Sequence, residues 1–329
     1  MATARKRDSP LDLVTGGAGF IGRHLVAELQ AAGRRVRVLD IQPSPVETAA
    51  EWIEGSILDP EALTAALTGV ERVFHLAAVP HFWCRDKTAH RRVNLEGTQA
   101  LLQAARTAGI ARLVHCSSEA ILLPESAGRT IDGNRAPSLT AMPGPYTRSK
   151  LLAEQAVLAA EGLEAVAVNP TAPIGAGDRA LTPPMRMLSD LLARRYPAYL
   201  ECILNLVDVR DVARGHRLAA ERGQSGKRYI LGGENLAFSQ LLDRFGRLSG
   251  AAMPGRQIPP WLALASAGAG TWLADRVTRR PPAATPEAVR LALAAAPLTS
   301  AAAEADLGYR PRPLDDALEE AIRFLRTQS

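Results

Sequence analysis

The stretch Thr15-Gly16-Gly17-Ala18-Gly19-Phe20-Ile21-Gly22 decides the fold class of this chain. Residues 11–15, just before it, form an apolar run typical of a buried strand, and residues 20–32 carry the apolar spacing of a helix. Short apolar runs alternate with helical segments as far as residue 170. Such alternation gives a parallel sheet covered by helices on both faces, so the sequence predicts an α/β fold with a doubly wound sheet.

Three glycines of this stretch stand where a dinucleotide-binding turn needs them. Gly16 permits the tight turn, Gly19 lets the backbone approach a pyrophosphate, and Gly22 lets the helix pack close to the sheet. The free N–H groups at the start of the helix, around Phe20 and Ile21, attract phosphate oxygens together with the helix dipole. Strand, turn and helix therefore predict a Rossmann-type dinucleotide site.

An acid, Asp40, ends the second predicted strand, residues 36–40. A carboxylate at that place accepts hydrogen bonds from the adenine ribose hydroxyls and repels a 2′-phosphate. The sequence therefore predicts NAD rather than NADP as the cofactor. An aspartate that only caps the next turn is the alternative interpretation.

Tyr146 and Lys150 are four residues apart at the start of a predicted helix, residues 146–161. This spacing places both side chains on one helix face. A free tyrosine titrates at about pH 10, and an adjacent ammonium lowers the pKa of the phenol. The pair therefore predicts proton transfer by Tyr146, with Lys150 also holding the nicotinamide ribose.

A serine pair follows the predicted strand at residues 113–116. A hydroxyl at the carboxyl end of a parallel strand faces the cofactor crevice, where it can hold a substrate oxygen. We select Ser118 as the third catalytic residue and keep Ser117 in reserve, with a plain turn serine as the alternative.

Composition excludes several other classes of function. The chain of 329 residues has a net charge of only +5 and 5% aromatic residues, so no basic stripe with interleaved aromatics predicts nucleic-acid binding. Its three cysteines, Cys84, Cys116 and Cys202, lie far apart and in odd number, which argues against disulfides and a metal site and favours a cytoplasmic location. No signal peptide is visible.

The apolar stretch 259–274 is too short to span a bilayer, so stable membrane insertion is not expected. We interpret it as a buried or pocket-covering helix, with a membrane-surface contact as the alternative. Residues 1–10 are predicted to be a disordered leader and 11–170 the NAD-binding domain. Residues 171–329 are predicted to be mainly a smaller C-terminal substrate lobe, from which 204–215 and 228–233 return to the first domain.

Several motifs together resemble the extended short-chain dehydrogenases/reductases, or NAD-dependent epimerase/dehydratase family. They are the glycine turn, residues 73–78 (VFHLAA), 94–98 (NLEGT), the serine pair, Tyr146/Lys150 and 307–311 (LGYRP). Residues 169–175, 206–212 and 228–235 look more specifically like hopanoid-associated sugar epimerases, which are similar to dihydroflavonol 4-reductases and 3β-hydroxysteroid dehydrogenases.

The resemblance implies further cofactor-binding residues. Ala77 and Ala78 would line the cofactor beside the pyrophosphate, and Asp59, after Leu58, would contact adenine. Asn94 would order backbone or water in the active site.

Pro170 would pass beside the nicotinamide, and residues 86–108 and 146–161 would form a homodimer interface. One departure concerns the Asp-Glu pair that sugar-nucleotide dehydratases place after the catalytic hydroxyl. Here Glu119 is followed by Ala120, which disfavours dehydration.

Two kinds of chemistry and one non-catalytic role remain open at this point. The favoured function is NAD-dependent oxidoreduction or epimerisation of a small molecule at a secondary alcohol or ketone, most simply on a sugar nucleotide. The alternative substrate is a hydrophobic ketone or alcohol. A non-catalytic dinucleotide-sensing protein is the alternative of another class, which the survival of Tyr146 and Lys150 disfavours.

Overall fold

The computed structural model describes residues 10–44, 49–124, 128–135 and 137–328. The predicted leader lies outside these ranges except for its last residue. The strands within them are β1 Leu11–Thr15, β2 Arg35–Asp40, β3 Glu51–Glu54, β4 Arg72–His75, β5 Arg112–Cys116, β6 Glu164–Pro170, β7 Ala172–Ile174, β8 Ile203–Asp208, β9 Arg228–Leu231 and β10 Glu234–Ala237.

The helices complete the description of the secondary structure. They are α1 Phe20–Ala31, α2 Pro60–Leu67, α3 Thr98–Thr107, α4 Pro145–Leu158, α5 Pro183–Leu192, α6 Val209–Arg222, α7 Phe238–Ser249, α8 Pro260–Leu273, α9 Pro286–Ala294, α10 Ala301–Leu307 and α11 Leu314–Thr327. Segments His90–Gly97 and Ala274–Thr278 are π-helical, and Glu119–Ile121 and Leu139–Ala141 are short 3₁₀ turns.

Seven strands form one parallel sheet in the order β3-β2-β1-β4-β5-β6-β9. From β1 the chain first adds β2 and β3 on one side and then crosses back to add β4 on the other side of β1. At this change of side, a doubly wound sheet opens a crevice at the carboxyl ends of its strands. The predicted Rossmann fold is therefore confirmed, and the crevice lies beside the glycine turn.

Alternate residues of β1 show how helices cover this sheet. Leu13 packs into a buried cluster with Leu63 of α2, whereas Val14 packs into a second cluster with Leu25 of α1. Because successive strand residues point to opposite faces, a continuous apolar strand requires helices on both sides. The apolar run 11–15 thus accounts for the layered architecture.

A smaller sheet, in the order β10-β8-β7, lies in the second half of the chain. Residues 204–208, expected to return to the first domain, belong to β8 in this smaller sheet, because β8 pairs with β7 and β10. Helix α6, which follows β8 directly, packs on α1, and β9 extends the large sheet beside β6. Residues 204–215 were expected to return to the first domain, and only their strand, β8, lies in the smaller sheet instead. The division of the chain into domains stays a prediction.

Two further segments differ from the sequence-based expectations. Within residues 86–108, which the resemblance places at a dimer interface and whose sequence predicts one long helix, the helical structure begins at His90 as a π-helix. It becomes α-helical at Thr98, whose hydroxyl donates to the carbonyl of Asn94 at 2.6 Å. Helix α8 was expected to be buried or to cover a pocket, with a membrane-surface contact as the alternative. Its Trp261 and Trp272 are 68% and 62% exposed, so this side of the helix is not buried. No helix in the described part of the chain is long and apolar enough to cross a membrane.

Candidate active site

The glycine turn brings the start of α1 against the ends of β1 and β4. Gly16 has a φ of +74°, and a Cβ on it would lie 2.7 Å from the backbone nitrogen of Ala77. A Cβ on Gly22 would lie 2.2 Å from the carbonyl oxygen of Gly16. Both positions therefore require glycine, and the close approach leaves the helix N-terminus facing the crevice.

The N-terminus of α1 offers donors for phosphate. Its N-cap, Gly19, has no side-chain cap, and the first N–H groups of a helix, here including those of Phe20 and Ile21, have no intrahelical acceptor. Arg23, which the sequence analysis did not single out, donates to the carbonyl of Ala18 at 2.8 Å. Arg23 therefore places a positive charge beside the turn, and its hydrogen bond stabilises the turn.

Asp40 lies at the end of β2 next to the glycine turn and is buried. Its Oδ2 accepts a hydrogen bond from the Ala18 backbone nitrogen at 2.9 Å, and its Oδ1 accepts from the Gln42 nitrogen at 2.9 Å. Asp40 therefore does cap a turn, as the alternative interpretation of this residue predicts. Each carboxylate oxygen keeps a second lone pair, so capping leaves room for ribose hydroxyls.

Leu58 and Asp59 lie in the turn before α2. The Leu58 nitrogen donates to Ser56 Oγ at 3.1 Å, and Asp59 Oδ1 accepts from the Glu61 nitrogen at 2.9 Å as the N-cap of α2. The structure therefore gives the Asp59 carboxylate a capping role, and contact with adenine stays a prediction.

Asn94 connects the segment after β4 to the helix that carries Tyr146. Its Oδ1 accepts from the Val79 nitrogen at 2.7 Å, and its Nδ2 donates to Ser149 Oγ at 3.1 Å. Ala77 and Ala78 directly precede Val79, so these bonds hold the backbone that faces the glycine turn. The side chain of Asn94 is buried, and its hydrogen bonds join two parts of the protein.

Tyr146 is buried in the first turn of α4, and the Ser118 hydroxyl lies near enough to lower the pKa of the phenol. Ser118 Oγ also accepts from the Ala120 nitrogen at 3.2 Å, which fixes the hydroxyl at the carboxyl end of β5. The other serine, Ser117, is buried with no partner for its Oγ in the described part of the chain. Ser118 is thus the serine beside Tyr146, and its catalytic role stays a prediction.

The pKa of Tyr146 differs from the sequence-based expectation. Burial raises the pKa of Tyr146 to about 12, and the nearby Ser118 hydroxyl acts in the opposite direction. We expected Lys150 to lower this pKa, but its ammonium donates to the carbonyl of Cys116 at 2.6 Å and is not among the groups that shift the pKa of the phenol most. Desolvation outweighs the favourable contact because the phenolate would lose its water.

Lys150 is buried one helical turn from Tyr146. Burial lowers the pKa of Lys150, and the nearby Cys116 and Glu154 raise it. Glu154 also accepts from Asn169 Nδ2 at 2.7 Å, and the same amide donates to the Ser118 carbonyl at 3.1 Å. Asn169 therefore links α4 to Ser118 at the end of β5.

Pro170, next to Asn169, ends β6 in a buried position.

Aromatic rings close another side of the site. Phe82 contacts the Tyr146 ring edge-on, with 5.1 Å between ring centroids, and His90 lies at 6.0 Å. His90 Nε2 is hydrogen-bonded to the His81 carbonyl at 2.7 Å, which fixes the orientation of this ring. The wall beside the phenol hydroxyl is apolar where Phe82 covers it.

Glu119 and Glu287 place two carboxyl groups near Tyr146. Burial raises the pKa of Glu119 to about 8, and both glutamates raise the pKa of Tyr146 through their charge. Glu287, from α9, caps the N-terminus of α4 by accepting from the Thr147 nitrogen at 2.9 Å. Sequence reasoning missed Glu287, since no local motif marks a residue that acts 140 positions away.

The residues present fit a bound dinucleotide. Two glycines leave a cradle that a Cβ would fill, the α1 N-terminus has free donors, and Asp40 lies at the end of β2 against the glycine turn. This turn and the buried Tyr146–Lys150 helix meet at one edge of the sheet, which is the arrangement of extended short-chain dehydrogenases/reductases.

Comparison with known proteins agrees. Residues 13–232 match the NAD dependent epimerase/dehydratase family, to which the chain belongs, and NAD is its cofactor. A Synechocystis sp. protein provisionally named dihydroflavonol 4-reductase is 34% identical over 95% of this chain and 94% of its own. The sterol-4-alpha-carboxylate 3-dehydrogenase (decarboxylating) of Bos taurus is 31% identical over 94% and 91%.

Solved structures show the same fold along the whole chain. The crystal structure of gox2253 is 36% identical, covers 98% of this chain and 99% of its own, and superposes with a TM-score of 0.84. MoeE5, solved with UDP-glucuronic acid and NAD, is 25% identical over 97% and 99% with a TM-score of 0.75. The UDP-glucose 4-epimerase of Thermus thermophilus, solved with NAD, is 24% identical over 97% and 100% with a TM-score of 0.76 and supports the fold alone.

Proposed function

We propose that this enzyme catalyses NAD-dependent oxidation or reduction at a secondary alcohol or ketone of a hydrophobic substrate. The observation that carries the reaction type is the placement of buried Tyr146 beside the Ser118 hydroxyl, one helical turn from buried Lys150. Two neighbouring hydroxyls give a substrate oxygen one group that exchanges a proton and one that orients it.

The protein's residues have separate tasks in this reaction. When bound, NAD supplies the hydride acceptor or donor. Tyr146 Oη takes the proton from the substrate hydroxyl during oxidation and returns it during reduction, while Ser118 Oγ aligns the substrate oxygen. Lys150 holds positive charge beneath the site and is oriented by the Cys116 carbonyl at 2.6 Å. The phenol's raised pKa means that cofactor and substrate binding must favour the phenolate.

Two observations support a hydrophobic substrate. Phe82 covers Tyr146 edge-on at 5.1 Å between centroids, which gives the site an apolar wall. Three of the relatives that match nearly the full chain, at 30 to 34% identity, are a protein named as a dihydroflavonol 4-reductase and two sterol-4-alpha-carboxylate 3-dehydrogenases. We infer a flat, apolar alcohol or ketone from these two lines together.

A sugar nucleotide, which the sequence motifs favoured, is the second candidate. MoeE5, at 25% identity, is solved with UDP-glucuronic acid and NAD, which supports a nucleotide sugar as the substrate. On such a substrate the family's epimerase chemistry would return the hydride to the same molecule. The two candidates differ in cofactor balance, because oxidation releases NADH whereas epimerisation leaves NAD unchanged.

A paired assay tests this proposal. The enzyme is incubated with NAD and either a 3β-hydroxysteroid panel or UDP-glucose, and NADH absorbance and sugar products are measured. We expect NADH to form with a hydroxysteroid and no change in UDP-glucose. Conversion of UDP-glucose to its 4-epimer without net NADH, together with inert steroids, would replace the hydrophobic substrate by the sugar nucleotide.

We also propose a homodimer through residues 86–108 and 146–161, on the strength of the family resemblance. The three unpaired cysteines, Cys84, Cys116 and Cys202, support a reducing, cytoplasmic compartment. A molecular mass of one chain by light scattering would exclude the homodimer. Fractionation of cells would test the cytoplasmic location.

A further inference from the structure

We propose that one exposed face of α8 and of the π-helical turn after it binds the surface of an anionic lipid bilayer. We call this surface the α8 face. Its large apolar side chains are Trp261, Leu262, Trp272, Leu273 and Val277, which are 68%, 40%, 62%, 43% and 63% exposed. A contiguous apolar surface of this kind marks an interaction site rather than ordinary surface.

The α8 face is one continuous side of a helix. Positions 261, 265, 269, 272 and 276 recur every three or four residues, and all five are exposed. The opposite side is buried, where Ala263 and Ala267 pack in a small cluster with Val289 of α9. The helix is therefore anchored to the protein by small residues, and its larger apolar residues are presented outward.

Positive charge predominates at the C-terminal end of the α8 face. Residues 260–274 contain neither aspartate nor glutamate, and Arg276, Arg279 and Arg280 follow in exposed positions. None of the salt bridges between described residues involves these three arginines. The acid within the turn, Asp275, is bound to Lys87 and Trp83, at 2.6 Å and 2.7 Å, and its charge also interacts with that of Arg279. Three arginines against one acid leave this end of the apolar strip with a net positive charge.

These features fit a bilayer surface better than a second copy of the chain. Tryptophans prefer the headgroup level, and the two on the α8 face lie 11 positions apart, roughly 16 Å along the helix axis. Basic residues beside an apolar helix face are attracted by anionic lipid headgroups. In a two-fold dimer through this face, the same arginine cluster would have to approach its own copy or find acids elsewhere.

The α8 face is also connected to the active site. Trp83, which bonds Asp275, directly follows Phe82, and Phe82 packs on the Tyr146 ring. Docking at the bilayer would therefore place the apolar wall of the site near the membrane, a consequence that rests on the proposed hydrophobic substrate. The binding itself does not depend on that substrate.

Vesicle binding tests the proposal without reference to catalysis. The full chain is sedimented with vesicles of phosphatidylcholine alone or of phosphatidylcholine with phosphatidylglycerol, at low and high salt. We expect binding to the anionic vesicles, a loss at high salt, and a blue shift of tryptophan fluorescence on binding. Trp261→Ala with Trp272→Ala should weaken binding by about tenfold or more, because each buried indole contributes to partitioning.

Matched variants separate this face from general attraction. Glutamine at Arg276, Arg279 and Arg280 should also weaken binding about tenfold or more, whereas glutamine at the exposed Arg194, Arg247 and Arg323 should not. Glutamine at Arg5, Lys6 and Arg7, outside the described residues, should leave binding intact. The tryptophan variant should keep wild-type melting temperature, since both indoles are exposed.

Two outcomes would overturn the proposal. One is an absence of binding to anionic vesicles, or equal binding by wild type and the tryptophan variant. The other is a fall in molecular mass by light scattering in the tryptophan variant without vesicles, which would show that a second copy covers the α8 face. If vesicle binding fails while the steroid assay succeeds, the proposed function stands and only the docking surface is lost.

Discussion

Glu287 and Thr147 are joined by two hydrogen bonds although they lie 140 positions apart in the chain. Glu287 Oε1 accepts from the Thr147 backbone nitrogen at 2.9 Å and from its hydroxyl at 2.8 Å. Thr147 directly follows Tyr146, so a residue from α9 caps the helix that carries the catalytic pair. A Cβ on the N-cap Gly144 would lie 2.2 Å from the Glu287 carboxyl group, which explains why glycine precedes this helix.

Removing the charge of Glu287 should shift the pH dependence of the reaction. The charge of Glu287 raises the pKa of Tyr146, so Glu287→Gln, which keeps an acceptor oxygen for Thr147, should lower that pKa. For alcohol oxidation, the rise of kcat/KM with pH should then begin at lower pH than in wild type. The pH profile of kcat/KM measures this, with Glu161→Gln, exposed beyond the far end of α4, as control.

Deleting the cap should cost positioning as well. Glu287→Ala leaves two donors of Thr147 without this acceptor, so we expect a loss of about 1 kcal/mol in the free energy of unfolding. A displaced Tyr146 should lower kcat about tenfold to a hundredfold, with a smaller change in KM. Identical pH profiles for the Gln variant and wild type would show that Glu287 is only structural.

The carboxylate of Asp40 should select between the two nicotinamide cofactors. Asp40→Asn retains one oxygen for the backbone nitrogens and removes the charge that repels a 2′-phosphate. The ratio of NAD to NADP affinity should fall by about tenfold, the effect of roughly 1.4 kcal/mol. Calorimetric titration with each cofactor measures the ratio, and an unchanged value would assign Asp40 to turn capping alone.

Glu119 should make the stability of the fold depend on pH. Burial raises the pKa of Glu119 from an ordinary 4.5 to about 8, so between those values the folded chain holds a proton that the unfolded chain has lost. The unfolded state then binds fewer protons, and stability falls as pH rises through this window. Glu119→Gln removes this contribution and should raise the melting temperature more at the top of the window than at the bottom, by about 2 °C. Equal gains at both ends would contradict the raised pKa.

The sequence predicted the parts of the site that are local. The glycine turn, Asp40 and the Tyr146–Lys150 spacing are short patterns whose geometry follows from one strand, one turn or one helix. The sheet followed as well, because apolar runs such as residues 11–15 leave no other way to bury both strand faces. Strand β3 of the large sheet was not predicted, since its four residues of mixed character, EWIE, give no clear period.

Contacts between distant segments could not be predicted in the same way. The cap on Thr147 by Glu287 and the placement of β8 in the smaller sheet depend on how the second half of the chain packs. The exposure of α8 was missed for a related reason. Its alanines and tryptophans are typical of a buried helix, and only the packing of Ala263 and Ala267 shows which side faces inward.

The electrostatics of Tyr146 are the clearest case. The spacing of four residues predicted an ammonium beside the phenol, and the helix does bring both side chains to one region. The Cys116 carbonyl accepts the hydrogen bond of Lys150 instead, at 2.6 Å, and burial dominates the phenol. Spacing fixes which residues share a face but not which acceptor a long side chain chooses.

The central claim is that Tyr146 exchanges the substrate proton beside a bound dinucleotide. The most direct measurement is a single turnover of Tyr146→Phe with NAD and the most active hydroxysteroid, followed by NADH absorbance, with NAD affinity measured on the same sample. We predict that NADH formation slows by a factor of about a hundred or more while the affinity for NAD stays near wild type. A variant that forms NADH at the wild-type rate would contradict the account.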